Sequence, residues 1–135
     1  MHPTIARLVE VANRHDAVEM AGLFHPDYHS EQPAHPSLEF SGAAQVRANW
    51  TRMFTGVPDV RLDCVADAQD GSTVWTEWRW TGTHTDGTPF AMNGVIVFGI
   101  ADDGRIGSAR LYMEEVEQGG AGIDETVGRL SHQSG

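Results

Sequence analysis

The sequence contains one cysteine and no lysine. Cys64 cannot form a disulfide within the chain, and its place in the apolar alternation Val60, Leu62, Cys64, Ala66 indicates a buried thiol. No apolar run is long enough to span a membrane, and the first residues lack the pattern of a secretory signal. From these absences we expect a soluble, cytoplasmic protein.

Basic residues are also scarce, with nine arginines against nineteen acidic residues and a net charge of −10. The arginines form no cluster, which argues against nucleic acids and anionic membranes as partners. The negative charge also disfavours strongly anionic ligands such as nucleotides or coenzyme A. No glycine-rich turn joins a strand to a helix, so the sequence offers no phosphate cradle for a nucleotide.

Helical patterns dominate the first half of the chain. With 135 residues, the chain is long enough for one domain with its own core. Apolar spacing predicts helices over Thr4–Asn13, from Asp16 through Phe24, and at about 42–55, the last capped by Ser41. The polar stretch Tyr28–Leu38 predicts either a short strand or an irregular loop.

Three Asp-Gly pairs mark turns in the second half: Asp70-Gly71, Asp86-Gly87 and Asp103-Gly104. Asp-Gly between strand-like segments is typical of type I′ hairpin turns, in which both central residues have positive φ. The flanking segments predict antiparallel strands at about 60–67, 73–84, 89–100 and 105–117.

These elements predict an α+β fold, in which a cone-shaped, curved antiparallel sheet wraps around the N-terminal helices and encloses a pocket. We expect residues 1–117 to form this domain. Residues 118–135 are expected to form a glycine-rich flexible tail or lid, in which 124–130 can form a weak helix.

Several short motifs carry a family resemblance. They are Asn13-Arg14-His15-Asp16, Leu23-Phe24-His25-Pro26-Asp27-Tyr28, Phe40-Ser41-Gly42, Trp78-Arg79-Trp80-Thr81-Gly82-Thr83-His84, and Asp103-Gly104-Arg105-Ile106 leading into Tyr112-Met113-Glu114-Glu115. Over residues 5–117 the chain resembles the SnoaL-like polyketide cyclases of the nuclear transport factor 2-like (ketosteroid isomerase-like) superfamily. The resemblance implies a cyclase or isomerase that moves a proton on a small hydrophobic carbonyl compound, such as a polyketide or terpenoid intermediate, without a metal or cofactor.

The resemblance also implies a catalytic carboxyl group on the last strand, where the matching residue is Glu114. Arg110 and Tyr112 alternate with Glu114 and share its face. If this face points into the cone, the three side chains converge with His29 on a bound carbonyl compound. The alternative is that Arg110 and Glu114 form a solvated pair on the outer face, because a shift of one residue reverses every side chain.

Candidate substrate-binding residues come from several elements. On the long strand, Trp78 and Trp80 lie on the more apolar face, whereas Trp75, Glu77 and Arg79 lie on the other. The full set of candidates is Tyr28, His35, Asn49, Trp50, Trp78, Trp80 and Asn93. Asn93 is the one polar residue on a strand where related cyclases carry a polar residue, often histidine. A non-catalytic, dimeric protein that binds small ligands is therefore a second hypothesis.

Two further hypotheses concern other chemistry. A metal site from His25, His29 and His35 is not expected, because Pro26 prevents the helix that would align the first two. An epoxide hydrolase of the limonene type requires a second carboxylate beside Arg110 and Glu114. Asp63 and Glu77 are the candidates, and both have outward parity.

An exposed tryptophan bears on the oligomeric state. Trp75 on the outer face of the sheet is consistent with a homodimer formed sheet to sheet, an arrangement that the resemblance also implies.

Overall fold

The computed structural model describes residues 1–133. Its helices are α1 (Pro3–Asn13), α2 (Ala17–Gly22), α3 (Ala43–Gly56) and α4 (Ile123–Ser131). Its strands are β1 (Phe24–Glu31), β2 (Phe40–Ser41), β3 (Arg61–Asp70), β4 (Thr73–Thr83), β5 (Pro89–Ile100) and β6 (Ile106–Glu115), with a short 3₁₀ turn at Pro36–Leu38. Among the residues described, no helix combines the length and the apolar character that crossing a membrane requires.

The six strands form one sheet in the order β2-β1-β6-β5-β4-β3. The predicted antiparallel meander of β3 to β6 and the α+β class are confirmed. The sheet is not antiparallel throughout, because β1 runs parallel to β6. The second helix was predicted to extend through Phe24, but it ends at Gly22. Phe24 belongs to β1, together with the following His25-Pro26-Asp27.

The hairpin turns differ from the predicted type I′. In each Asp-Gly pair the glycine has a positive φ and the aspartate does not. The amide of Gly87 donates to the carbonyl of His84, and the amide of Gly104 donates to the carbonyl of Ala101. These two loops are therefore three-residue hairpins, with a type I turn followed by a left-handed glycine. The turn positions were predicted correctly and the turn type was wrong.

Local irregularities curve the sheet around the helices. The pairing register shifts between Cys64 and Ala66 in β3 and between Gly99 and Ile100 at the end of β5. Such shifts bend a strand and increase its twist. At Gly94, an added Cβ would lie 2.2 Å from the carbonyl oxygen of Tyr112, so only glycine permits this approach of β5 and β6. The curvature gives the sheet a concave face, toward α1 to α3, and an outer face.

Two polar side chains, one in α1 and one just after it, form hydrogen bonds with the chain at the start of β3. The Asn13 amide donates to the carbonyl of Leu62 at 3.0 Å, and its oxygen accepts from the Leu62 amide at 2.8 Å. The His15 ring lies 2.7 Å from the carbonyl oxygen of Val60. The predicted cap at Ser41 is wrong: Gly42 is the N-cap of α3, and no side chain caps this end.

The C-terminal segment contains the predicted helix. α4 extends from Ile123 to Ser131, and none of its residues is buried. The last two residues of the predicted tail, 134 and 135, lie outside the described part of the chain.

Candidate functional site

A cavity of about 500 Å³ lies between the concave face of the sheet and the helices. Most of its wall is apolar. Its aromatic and methionine lining consists of Met20, Phe24, Tyr28, Phe40, Trp50, Met53, Trp78, Trp80, Phe90, Met92 and Phe98. A cavity of this size and composition is typical of sites for small apolar molecules.

Three tryptophans form one wall of the cavity. Trp80 packs edge-to-face on Trp50, with ring centroids 5.3 Å apart, and on Trp78 at 6.5 Å. The indole N–H of Trp78 donates to the Thr76 hydroxyl, which in turn donates to a backbone carbonyl of β5. The indole N–H of Trp80 is the one buried polar side-chain atom in residues 1–133 without a hydrogen-bond partner.

The deep part of the cavity has neutral polar groups. Tyr28 and Ser30, both from β1, are buried and contribute hydroxyl groups to the wall. Burial raises the pKa of Tyr28 to about 12, against the opposing effect of a hydrogen bond with the Ser30 side chain. The Tyr28 hydroxyl is therefore protonated at neutral pH, and it can donate a hydrogen bond or accept one.

Charged groups line the cavity only at its opening. Arg52 and Glu115 are exposed, and Gln32, Asn49 and His84 are half-buried, so these five residues stand where the cavity meets solvent. We call them the mouth. Arg52 makes no ion pair in the part of the chain that the structure describes. The mouth thus combines a carboxylate, a guanidinium and an imidazole around an apolar interior.

The predicted orientation of β6 is wrong. Ala109 and Leu111 line the cavity, whereas Arg110, Tyr112 and Glu114 lie on the outer face and are exposed. Apolar residues alternate with these three on β6, and the apolar set occupies the concave face because burial of apolar surface is favourable. Glu114 therefore does not face the cavity, and the geometry gives no support to its catalytic role or to those of Arg110 and Tyr112.

The two histidines predicted near the site also lie outside the cavity. His35 is exposed, with Nε2 2.7 Å from a carboxylate oxygen of Glu114. His29 lies with Nε2 2.7 Å from Glu39 and 3.4 Å from Glu31, and its Nδ1 is 3.1 Å from the Ser41 hydroxyl. Contrary to the prediction, neither histidine lines the cavity wall.

Three side chains of the types that bind metal ions lie close together. His29, Glu31 and Glu39 offer ligand atoms within 4.8 Å of one another, half-exposed at the edge of the sheet. The trio His25, His29 and His35 is not brought together in this way among residues 1–133. The carboxylates already have a partner in the His29 ring.

The remaining predicted substrate-binding residues either line the cavity or lie on the outer face of the sheet. Tyr28, Asn49, Trp50, Trp78 and Trp80 line the cavity as predicted. The predicted faces of β4 are confirmed, since Val74, Thr76, Trp78 and Trp80 are buried and Trp75, Glu77 and Arg79 are exposed. Asn93 is exposed on the outer face, contrary to its predicted place in the site.

The described residues do not form the arrangement that an epoxide hydrolase of the limonene type needs. Asp63 pairs with Arg61 at 3.1 Å, and Glu77 is exposed. Arg110 forms no ion pair with either carboxylate in residues 1–133.

Sequence reasoning missed part of the site. Ser30, Gln32, Arg52, His84 and Glu115 line the cavity and were not among the candidates. For Glu115 the signal was present: Ala109, Leu111 and Met113 form the more apolar alternation of β6, and Glu115 continues it. Gln32 directly follows β1, and Arg52 lies on a polar flank of α3; neither position belongs to a comparable apolar pattern.

Residues 5–108 match the family model described as a SnoaL-like domain, which spans most of the chain. The chain belongs to the SnoaL-like domain family. No curated protein matches the sequence significantly. This SnoaL-like protein is similar in structure to a hypothetical protein with a ketosteroid isomerase-like fold from Catenulispora acidiphila, solved in complex with trimethylamine. The TM-score is 0.71 at 17% identity, covering 82% of this chain and 84% of that one.

A second similar structure is an NTF2-like protein of unknown function from Exiguobacterium sp. 255-15. Its TM-score is 0.70 at 18% identity, with 84% of this chain and 99% of that chain covered. At these identities the likeness shows the ketosteroid isomerase-like, NTF2-like fold and no more.

The buried tyrosine gives the SnoaL-like protein a predicted stability change at high pH. The pKa of Tyr28 is raised from 10.0 in the unfolded chain to about 12 in the folded one, so the folded state holds this proton more tightly. Its contribution is complete below pH 10 and is lost as the pH rises through 12. Denaturant unfolding of the wild type and of Tyr28→Phe measures this contribution. Between pH 10 and pH 12, the free energy of unfolding of the wild type should fall by about 3 kcal/mol more than that of Tyr28→Phe.

Tyr112→Phe is the matched control, because Tyr112 is the second of two tyrosines and lies exposed on the opposite face. It should keep the wild-type slope. Parallel curves for the wild type and Tyr28→Phe would contradict the burial of the Tyr28 hydroxyl in the folded protein.

Proposed function

We propose that this SnoaL-like protein binds a small, uncharged and largely apolar molecule inside the cavity. The observation that carries the proposal is the distribution of charge: among residues 1–133, no ionised side chain lines the interior, and Arg52 and Glu115 stand only at the mouth. An ion placed inside would lose its hydration without a compensating partner, at a cost of several kcal/mol. An apolar molecule meets no such cost.

The aromatic wall of the cavity favours a planar ligand. The edge-to-face packing of Trp50, Trp78 and Trp80 holds the rings in fixed positions, and rigid aromatic surfaces favour stacking with planar molecules. The hydroxyl of Tyr28 can hold one carbonyl or hydroxyl oxygen of the ligand. A fused-ring ketone or phenol combines both features, and it fits the family, which includes cyclases and isomerases.

Binding of Nile red, an uncharged planar dye with a carbonyl group, tests this proposal. Dye fluorescence should rise on binding to the wild type. Trp80→Ala should weaken binding about tenfold or more, because loss of a buried aromatic contact removes about 1.5–3 kcal/mol. Trp75→Ala is the matched control: it removes the same side chain from the same strand, on the exposed outer face.

A cavity-filling variant provides a second test, which holds even if Trp80→Ala does not fold. Leu111 lines the cavity and is half-buried, so Leu111→Trp should occlude the space and abolish dye binding. Equal dye affinities of wild type, Trp80→Ala and Leu111→Trp, measured per protomer, would refute binding in the cavity.

A second candidate function is acid–base catalysis at the mouth. The observation that favours it is the pair Glu115 and His84, whose side chains border an apolar cavity. We propose Glu115, in place of Glu114, as the carboxylate able to remove a proton beside the carbonyl group of a bound ketone. His84, whose ring packs edge-on against Phe90 at 5.7 Å, is held beside the same opening. The reaction type remains that of a cofactor-independent cyclase or isomerase.

Exchange of the α-hydrogens of β-tetralone in deuterated water measures this chemistry without knowledge of the natural substrate. The wild type should accelerate exchange, and Glu115→Gln should lose about 10²-fold of the rate, the lower limit for positioned general-base catalysis. Glu114→Gln is the control and should retain the wild-type rate. A wild-type rate no faster than that of Glu115→Gln, or a selective loss in Glu114→Gln, would rule out this assignment.

We also propose that the protein forms a homodimer through the outer face of the sheet. Val65, Trp75 and Tyr112 on this face are 45%, 47% and 44% exposed, and aromatic residues are enriched at protein–protein contacts. The cavity faces the other side of the sheet, so such a dimer leaves the mouth open.

Light scattering coupled to size exclusion tests the dimer. The wild type should have the mass of two chains, and Tyr112→Glu should shift toward one because a buried, unpaired carboxylate is costly. Val18→Glu adds the same charge at an exposed apolar residue of α2 and should leave the mass unchanged. A monomeric wild type, or a dimeric Tyr112→Glu, would refute the proposed interface.

A further inference from the structure

α4 carries an apolar stripe that is exposed to solvent. Ile123, Val127 and Leu130 are 75%, 51% and 66% exposed. Their spacing of four and three residues places them on one side of the helix. The polar residues Glu125 and Arg129 lie on the opposite side. The helix is therefore amphipathic, and its apolar side has no partner among residues 1–133.

α4 is too short to be stable without a partner. It has nine residues, and isolated helices of fewer than about twelve are marginal in water. Gly128 in its interior weakens it further. Its hydrogen bonds are internal: no hydrogen bond or ion pair joins residues 119–133 to the rest of the described chain. Packing of the apolar stripe against another surface is the interaction that would stabilise the helix.

The segment that follows β6 connects α4 to the mouth of the cavity. β6 ends at Glu115, a residue of the mouth, and α4 begins at Ile123. The seven residues between them include Gly119, Gly120 and Gly122, and they span at most about 25 Å when fully extended. This tether is flexible and short, so the mouth of the same chain is presented to α4 at high effective concentration.

The mouth offers a complementary surface. Trp50, Met53, Met92 and Leu111 line the cavity and are only half-buried, which leaves apolar surface exposed at the opening. Arg52 beside them makes no ion pair within residues 1–133. The first turn of α4 carries Asp124, which flanks the apolar stripe. Docking would bury the stripe on the apolar rim and bring a carboxylate toward Arg52.

We propose that α4 docks over the mouth of its own chain, and that Ile123, Val127 and Leu130 form the missing wall of the ligand site. A helix of nine residues is about 13 Å long, enough to cover an opening rather than fill it. This inference deepens the proposed function, because the wall encloses the ligand proposed above. The docking itself occurs without ligand and is tested without one.

The test measures the distance between α4 and α3 in the ligand-free, full-length protein. Spin labels are attached to Arg129→Cys, on the polar side of α4, and Thr51→Cys, on the exposed side of α3, in a Cys64→Ser background. The labelled chain is diluted in an excess of unlabelled chain, so that distances between the copies of the proposed dimer are not recorded. Under these conditions docking predicts a single narrow distance distribution by double electron–electron resonance. Val127→Gln with Leu130→Gln removes the stripe but keeps good helix-forming residues, and it should broaden the distribution.

The matched control is Glu125→Gln with His132→Asn, which changes two residues opposite the stripe and should leave the distribution narrow. A broad distribution in the wild type, or a narrow one in Val127→Gln/Leu130→Gln, overturns the proposal. A mixture of singly labelled chains reports contact between copies. If that mixture gives the same narrow distance as the doubly labelled chain, α4 docks on a second copy, and the proposal is also overturned.

Dye release separates this inference from the proposed function. Nile red should dissociate from Val127→Gln/Leu130→Gln about tenfold faster than from the wild type, as expected for the loss of a buried apolar contact. Equal release rates would refute the role of α4 in enclosing a ligand. If Nile red does not bind the wild type, the proposed function fails, and the spin-label distances still decide whether α4 docks.

Discussion

The alternation of side chains along β4, β5 and β6 determines what the cavity can hold. Each residue of a strand faces opposite its neighbour, so one set of positions builds the concave face and the other builds the outer face. Apart from Thr76, the buried part of the concave set is apolar or aromatic, from Trp78 and Trp80 on β4 to Ala109 and Leu111 on β6. The charged residues of β4 and β6 face outward, except Glu115, which lies at the mouth. A change of register by one residue would exchange these two surfaces and abolish the site.

This separation of charge shapes the chemistry of the site. The interior can supply dispersion contacts and a neutral hydroxyl from Tyr28, whose burial raises its pKa and keeps it protonated. Ionised groups meet a ligand only at the mouth, where solvent weakens their interactions. This distribution of charge is the basis for the proposed binding of an uncharged molecule, and the proposed acid–base chemistry requires that a ligand present its reactive atom to Glu115. The docking of α4 would change that balance, because it would remove solvent from the mouth.

The sequence predicted the fold closely and the site in part. Strand positions followed from Asp-Gly turns and alternation, and the faces of β4 were assigned correctly by asking which set is more apolar. The same rule applied to β6 selects Ala109, Leu111 and Met113, and it was overridden by the family position of Glu114. β1 was harder to predict, because His25-Pro26-Asp27 has no strand signal and its pairing partner β6 lies far away in sequence. The mouth residues Gln32 and Arg52 come together only through tertiary packing, which no local pattern records.

Methyl-resolved NMR of the protein with a bound uncharged ketone is the most direct test of the ligand's place in the fold. Met20, Met53 and Met92 line the cavity, whereas Val65 and Val95 lie on the outer side of the sheet. A ligand in the cavity should give intermolecular Overhauser contacts to the methionine methyl groups and none to the two valines. Contacts to Val65 or Val95 without contacts to the methionines would place the ligand on the outer face and contradict the account.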